Sequence, residues 1–339
     1  MKILPCLSVI ALTIGSASCA FAQGWNEEAV VVTASNATNN QLLVYSTADK
    51  LIQSIATGGA GGASGNAGGI AYSNNKLAVV NFGSQNVSVF EKTEHGFQLK
   101  QLIATASSPV SVAFGHNHLY VLGTTHVESH RIYEFGVDLS ADGSAPLVLA
   151  DGSAAQVGVI ATQLILSEKN NAIESVNLNG NGAVVGAAAL VSNIPSNVNA
   201  PFGLATRGND AYVTIAHADE ISLVRNDAVV TVTGSGTQHA PCWLALDGPF
   251  LFSSNSPSMS ISRYLVYGQK IIQQAAVAAT LNGDPTDIAY QSGMIAVIDS
   301  NATVAHLSLF NVDGDGNLTL RGATSMNSAN GVAIVRTDD

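Results

Sequence analysis

The chain has 339 residues, with 13 Lys or Arg against 24 Asp or Glu and a formal charge of −11. Only 11% of residues are charged and 47% are hydrophobic. An acidic, charge-poor surface excludes a phosphate-backbone binder, and the apolar content excludes an intrinsically disordered chain.

The N-terminus reads as a secretory signal. Lys2 precedes an apolar run from Ile3 to Ile14, and small residues lead to Ala20-Phe21-Ala22, an A-x-A cleavage pattern. The run is shorter than the roughly 20 residues that a membrane span needs, and no later stretch is apolar enough to span. The expected organisation is a signal peptide over 1–22 and one domain over 23–339. The alternative, lipidation at Cys19, has Ser16 where a Leu is wanted. The expected location is outside the cytoplasm: secreted, or periplasmic in a Gram-negative host. Cleavage leaves Cys242 alone, so no internal disulfide is expected.

The remainder repeats. An anchor residue is followed three positions on by an aliphatic and four on by an Ala, then a tight turn and an aliphatic strand. The anchors are Ala67, Pro109, Gln156, Pro201, Pro241, Pro285 and Ala329. They lie 40 to 47 residues apart, and the Ala of the motif is replaced once, by Ile160. Seven units of this length match the four-stranded blade of a β-propeller. Alternating segments such as Asn86-Val87-Ser88-Val89-Phe90 and Arg131-Ile132-Tyr133-Glu134-Phe135 supply further strands. The last unit has only its inner strand, Gly331–Val335. The segments Ala29–Thr33 and Gln41–Tyr45 are expected to complete that blade, which removes two unpaired sheet edges. The Gly-rich stretch from Thr57 to Gly69 then becomes a connection inside the ring.

With P-x-x-[VIL]-A, a tight turn and an aliphatic strand in seven registers, the chain resembles the lactonase-type propellers. That group includes 6-phosphogluconolactonases, carboxymuconate cyclases and YVTN-repeat proteins. The resemblance runs from about Ala29 to Val335 and implies an all-β, seven-bladed propeller. It also implies Arg and His just after the anchor and a Glu closing the second strand. The two residues after each anchor here include neither Arg nor His. Glu168, in Leu166-Ser167-Glu168, does match the Glu, and His239 stands two before Pro241.

One face of the ring collects the loops that lead into inner strands and those that join second to third strands. A site is expected there, opening on the central channel. Glu168 is the candidate general base, with His239 or His217 as acid or oxyanion donor. The residue two after the anchor is small in most units, where inner strands crowd the axis. Trp243 and Asp287 depart from that rule. They are read either as ligand contacts or as a channel plug and a turn cap. Asn81, Asn255, Glu168 and Asp299 all end second strands. They offer ligand contacts, or hard oxygen donors for Ca²⁺, or else local backbone bonds; no other cofactor is implied.

The segment Thr124–His130 is expected to be a long surface turn, with His126, Glu128 and His130 too far from a zinc geometry. Asn311–Gly316 starts like a calcium loop but has Gly322 at the twelfth position, so it reads as a β-turn. Four sequons, at Asn36, Asn86, Asn301 and Asn317, are glycan acceptors or turn residues. No G-x-S-x-G, P-loop or dinucleotide fingerprint occurs. Two functions are carried forward. One is an enzyme acting on a small cyclic ester or acid in the channel. The other is a non-catalytic scaffold for an extracellular protein, glycan or cell-wall partner.

Overall fold

The computed structural model describes residues 27–65, 67–192 and 200–338. The expected signal peptide lies outside them. Seven antiparallel sheets follow one another along the chain, so the fold is an all-β, seven-bladed propeller. Numbered from the N-terminus, the innermost strands of blades 2 to 7 are Ile70–Ser73, Pro109–Gly115, Ala154–Val159, Pro201–Arg207, Pro241–Asp247 and Asp284–Gln291. Among the described residues no helix is long and apolar enough to cross a membrane.

Blade 1 closes the ring as expected. Its innermost strand is the C-terminal Asn330–Arg336, which pairs antiparallel with Ala29–Ala34. Val31 stands opposite Ile334 and Val32 opposite Ala333. Thr33 Oγ1 also donates to Gly331 O at 2.7 Å. Each end of the chain therefore holds the other in a buried sheet, at 0% exposure for Val30, Val31, Val32 and Val335.

The strand patterns follow from position in a blade. Inner and second strands are covered on both faces by neighbouring blades, so they read as continuous apolar runs. Lys76–Asn81 (KLAVVN) is buried at every residue after the first. Outer strands have one wet face, so even an apolar one such as Val184–Leu190 (VVGAAAL) is largely exposed. The turns between them are set by residues that tolerate left-handed backbone. Asn74-Asn75 (φ 47°, 63°) and His116-Asn117 (φ 47°, 58°) turn the chain from inner to second strand, the φ > 0 pair that two-residue hairpin loops require.

Blade 3 departs from the sequence reading. His126–Tyr133 is a strand rather than a long turn, and Glu134-Phe135 form the turn after it. Its outer partner is split into Gly136–Val137 and Gly143–Pro146. The polar side chains belong in the sheet because they have partners there. Ser129 Oγ donates to Asp142 at 2.7 Å, His118 Nε2 lies 2.8 Å from the same carboxylate, and Glu128 accepts from Ala106 N at 2.8 Å. On a strand, alternate residues are separated by about 6.6 Å. His126, Glu128 and His130 are therefore strung along one face instead of converging.

The Asp313–Asn317 segment is the expected turn: Asp313 Oδ1 accepts from Asp315 N and Asn317 N at 2.9 and 2.8 Å.

Candidate functional site

The inner strands meet around the axis in a belt of hydrogen bonds between blades. Val112 N donates to Gly68 O at 2.7 Å, Thr214 Oγ1 to Cys242 O at 2.9 Å, and Trp243 Nε1 to Pro285 O at 3.2 Å. Ser167 Oγ donates to Phe202 O. Small residues two after the anchor make this approach possible. A Cβ on Gly203 would lie 2.4 Å from Cys242 O, and one on Gly331 2.7 Å from Ile70 N.

The loop face, where a site was expected, is covered. Thr57–Gly69 is fastened near blades 1 and 2: Asn36 Oδ1 accepts from Gly62 N at 2.7 Å and from Ala63 N at 3.1 Å. On the far side, Lys169 Nζ of blade 4 donates to Gly65 O at 3.1 Å. Ala67, 1% exposed, packs with Ala200, Ala216, Cys242 and Trp243 of blades 5 and 6. The described residues of this segment thus lie across the mouth of the channel as a strap. Trp243 fills the space beneath, 2% exposed and edge-on to Phe202 at 5.4 Å between centroids.

Below the strap is a cavity of about 330 Å³, lined among others by Ile70, Val112, Phe114, Gln156, Asp287 and Val332. Its closed end holds Asp287 at 3% exposure, early on its inner strand. Ala71, Phe114, Val159 and Thr206, further along their strands, are half-buried. The cavity therefore opens on the face where inner strands turn into second strands, opposite the strap.

Among the described residues, Asp287 is the one ionisable member of the lining. Oδ1 accepts from Ile288 N at 2.8 Å, and Oδ2 accepts from Gly68 N at 3.3 Å and Val332 N at 3.1 Å. A carboxylate accepts about four hydrogen bonds, so Oδ1 keeps a lone pair free. Burial raises the carboxyl pKa to about 7 against the opposing pull of these three amides.

Gln156 lies on the opposite wall, and sequence reasoning treated it only as an anchor. Its Oε1 accepts from Leu204 N at 2.7 Å. An N–H donor can face only the amide oxygen, which fixes the amide orientation. Nε2 is consequently turned away from Leu204, 3.5 Å from where a Gly68 Cβ would stand. Asp287 and Gln156 thus flank Gly68 from two sides. The available signal was the departure from pattern, since Gln156 occupies an anchor position that is Pro in four other units.

The remaining candidates are held elsewhere. Glu168 is completely buried in blade 4, where Ser153 Oγ donates to Oε2 at 3.0 Å and Oε1 has no partner. Burial raises its pKa to about 8. His239 lies on the rim, its side chain 70% exposed, with Nδ1 2.9 Å from Asp219. His217 is exposed on the short turn Ala216–Ala218. The structure does not bring these three together.

The four strand-end residues are equally local. Asn81 accepts from Thr57 Oγ1 at 2.7 Å and donates to Ser88 Oγ at 2.6 Å. Asn255 donates to Ser262 Oγ at 2.8 Å, and Asp299 lies 2.9 Å from His306 Nδ1. The four lie in four different blades, and Asn81, Asn255 and Asp299 are each engaged by local partners, which does not fit a shared Ca²⁺. Among the described residues no three His, Cys, Asp or Glu side chains gather to hold a metal.

Seven sheets closed through the two ends of the described chain, around an axial cavity, make a seven-bladed propeller. Solved structures of other proteins share this propeller fold. The periplasmic gluconolactonase of Pseudomonas aeruginosa matches with a TM-score of 0.68 at 13% identity, covering 91% of this chain and 99% of that one. A putative 6-phosphogluconolactonase from Bacteroides fragilis matches with a TM-score of 0.64 at 13% identity, over 91% and 98% of the two chains. A protein of unknown function from Desulfotomaculum acetoxidans matches with a TM-score of 0.69 at 11% identity, over 91% and 99%. Neither a protein-family model nor a curated protein matches the sequence.

Proposed function

We propose that this chain is an exported lactonase-like hydrolase that admits a small uncharged cyclic ester to the channel cavity. The observation that carries this is Asp287: a carboxyl with a free lone pair and a pKa near 7, at the closed end of a cavity of ligand size. Ionised Asp287 takes a proton from a water as that water attacks the ester carbonyl. The ring C–O bond then breaks, and the same proton passes to the departing alkoxide. The product is an open hydroxy acid that gives its acid proton to solvent, and the resulting carboxylate faces ionised Asp287 inside a protein of charge −11, which favours release. The described lining carries Asp287 and no Lys, Arg or His, which disfavours phosphorylated substrates.

The test is proton release by purified Gln23–Asp339 on neutral and anionic lactones, beside Asp287→Asn. Turnover of neutral lactones that disappears in the variant supports the reading; no turnover on any of them rejects hydrolysis. The scaffold alternative draws support from blade 3, where Phe135 is 90%, Leu139 61% and Tyr133 50% exposed. A partner held there would be lost on Phe135→Ser.

A further inference from the structure

The closed end of the cavity presents two complementary groups, and only Asp287 is used by the hydrolytic step above. We infer that Gln156 is the residue that recognises the ligand, through an Nε2 donor aimed at a carbonyl oxygen, and that with Asp287 it selects small neutral cyclic carbonyl compounds. The inference rests on the channel being the site, as proposed above, but not on any hydrolysis there.

The geometry is specific. Leu204 N occupies Gln156 Oε1 at 2.7 Å, so the amide cannot flip without leaving that N–H unpaired. The amide is therefore a fixed donor, and it belongs to blade 4 while Asp287 belongs to blade 7. Gly68 separates them, its φ of +63° and missing side chain keeping the space between clear; a Cβ there would also lie 2.8 Å from Ser111 Oγ. Asp287 Oδ1 is the acceptor on the other side. A ligand that satisfies both offers a carbonyl oxygen to Gln156 and an N–H or O–H to Asp287. A lactone with its attacking water does so, and so does a cyclic amide. Ile70, Val112, Val157, Leu204 and Ile288 also line the cavity. An anion gains nothing from Gln156 that offsets repulsion by Asp287. In a reacting ester, the same Nε2 would meet the oxygen on which negative charge develops, a contact typically worth about 100-fold in kcat.

Two variants separate recognition from folding. Gln156→Leu removes both amide groups. Gln156→Glu keeps an oxygen for Leu204 N and replaces only the donor. Each is compared with the wild type for melting temperature, for δ-valerolactone hydrolysis, and for δ-valerolactam binding by ligand-observed NMR. The expected result is lactam binding by the wild type that both variants lose, with Gln156→Glu still folded. Where δ-valerolactone is turned over, kcat is expected to fall by about 100-fold in both, with a smaller change in KM. If the wild type binds lactam through Gln156 yet hydrolyses no lactone, the recognition stands and the hydrolase reading falls. Lactam binding that is absent in the wild type, or unchanged in folded Gln156→Glu, overturns the inference.

Discussion

Asp287 accepts a hydrogen bond from Val332 N at 3.1 Å, across 45 residues of chain. This contact joins the inner strand of blade 7 to the strand that closes the ring. The same carboxyl reaches Gly68 of blade 2. One side chain therefore ties three blades together and also faces the cavity, so its effects on stability and on chemistry must be separated by pH.

The hydrolytic rate should follow the ionisation of Asp287. Turnover is expected to rise with pH through about 7 and level off above it, because only the ionised carboxylate takes a proton. Asp287→Asn should lower kcat by about 10²- to 10⁴-fold and abolish this limb. A pH–rate profile of both proteins checks it. A profile unchanged in the variant would assign the base to another residue.

Folding stability should show the opposite trend with pH. Asp287 and Glu168 have folded-state pKa values of about 7 and 8, raised by burial from ordinary values of 3.8 and 4.5. Between about pH 4 and 8 the folded chain keeps protons that the unfolded chain has released, so stability falls as pH rises through that window. Glu168→Gln should make the decline in melting temperature between pH 5 and 8 shallower. An identical slope in the variant would show that Glu168 is ionised in the folded protein.

Trp243→Ala should be strongly destabilising, by about 3–5 kcal/mol, because it empties a fully packed site and removes the bond to Pro285 O. Trp243→Phe should recover much of the packing without the hydrogen bond. Denaturant unfolding of the two variants gives both numbers.

Gly331→Ala should cost about 1–3 kcal/mol. Its φ is 76°, and the added methyl would meet the backbone of Gly69 and Ile70 rather than a movable side chain. A variant as stable as the wild type would mean that the closing strand can shift away from blade 2.

Cys242 should resist thiol reagents in the folded protein. It is buried, burial raises its pKa to about 12, and its Sγ donates to Ala240 O at 3.2 Å. Labelling with a disulfide reagent is expected only after denaturant is added.

Much of the architecture is determined within single units of sequence. The recurring anchor, aliphatic and Ala place each inner strand, and the Asn-rich turns fold it onto its neighbour. The N-terminal strand Ala29–Ala34 pairs with Asn330–Arg336 and completes that blade. Trp243 and Asp287 stand out as departures from the small-residue rule for the same reason: every unit faces the same axis. The tertiary structure alone decided which departures face the cavity. Trp243 is consumed in packing, Glu168 is sealed inside blade 4, Asn81 is satisfied by Asn40, Thr57 and Ser88, and Asn255 by serines of its own blade. Gln156 acquires its orientation from Leu204, and the Gly-rich stretch becomes a strap only because Lys169 and blades 5 and 6 receive it. A repeat fixes contacts between neighbouring strands. The contents of the channel depend on which side chains from distant blades meet, and on whether each finds a partner before it reaches the axis.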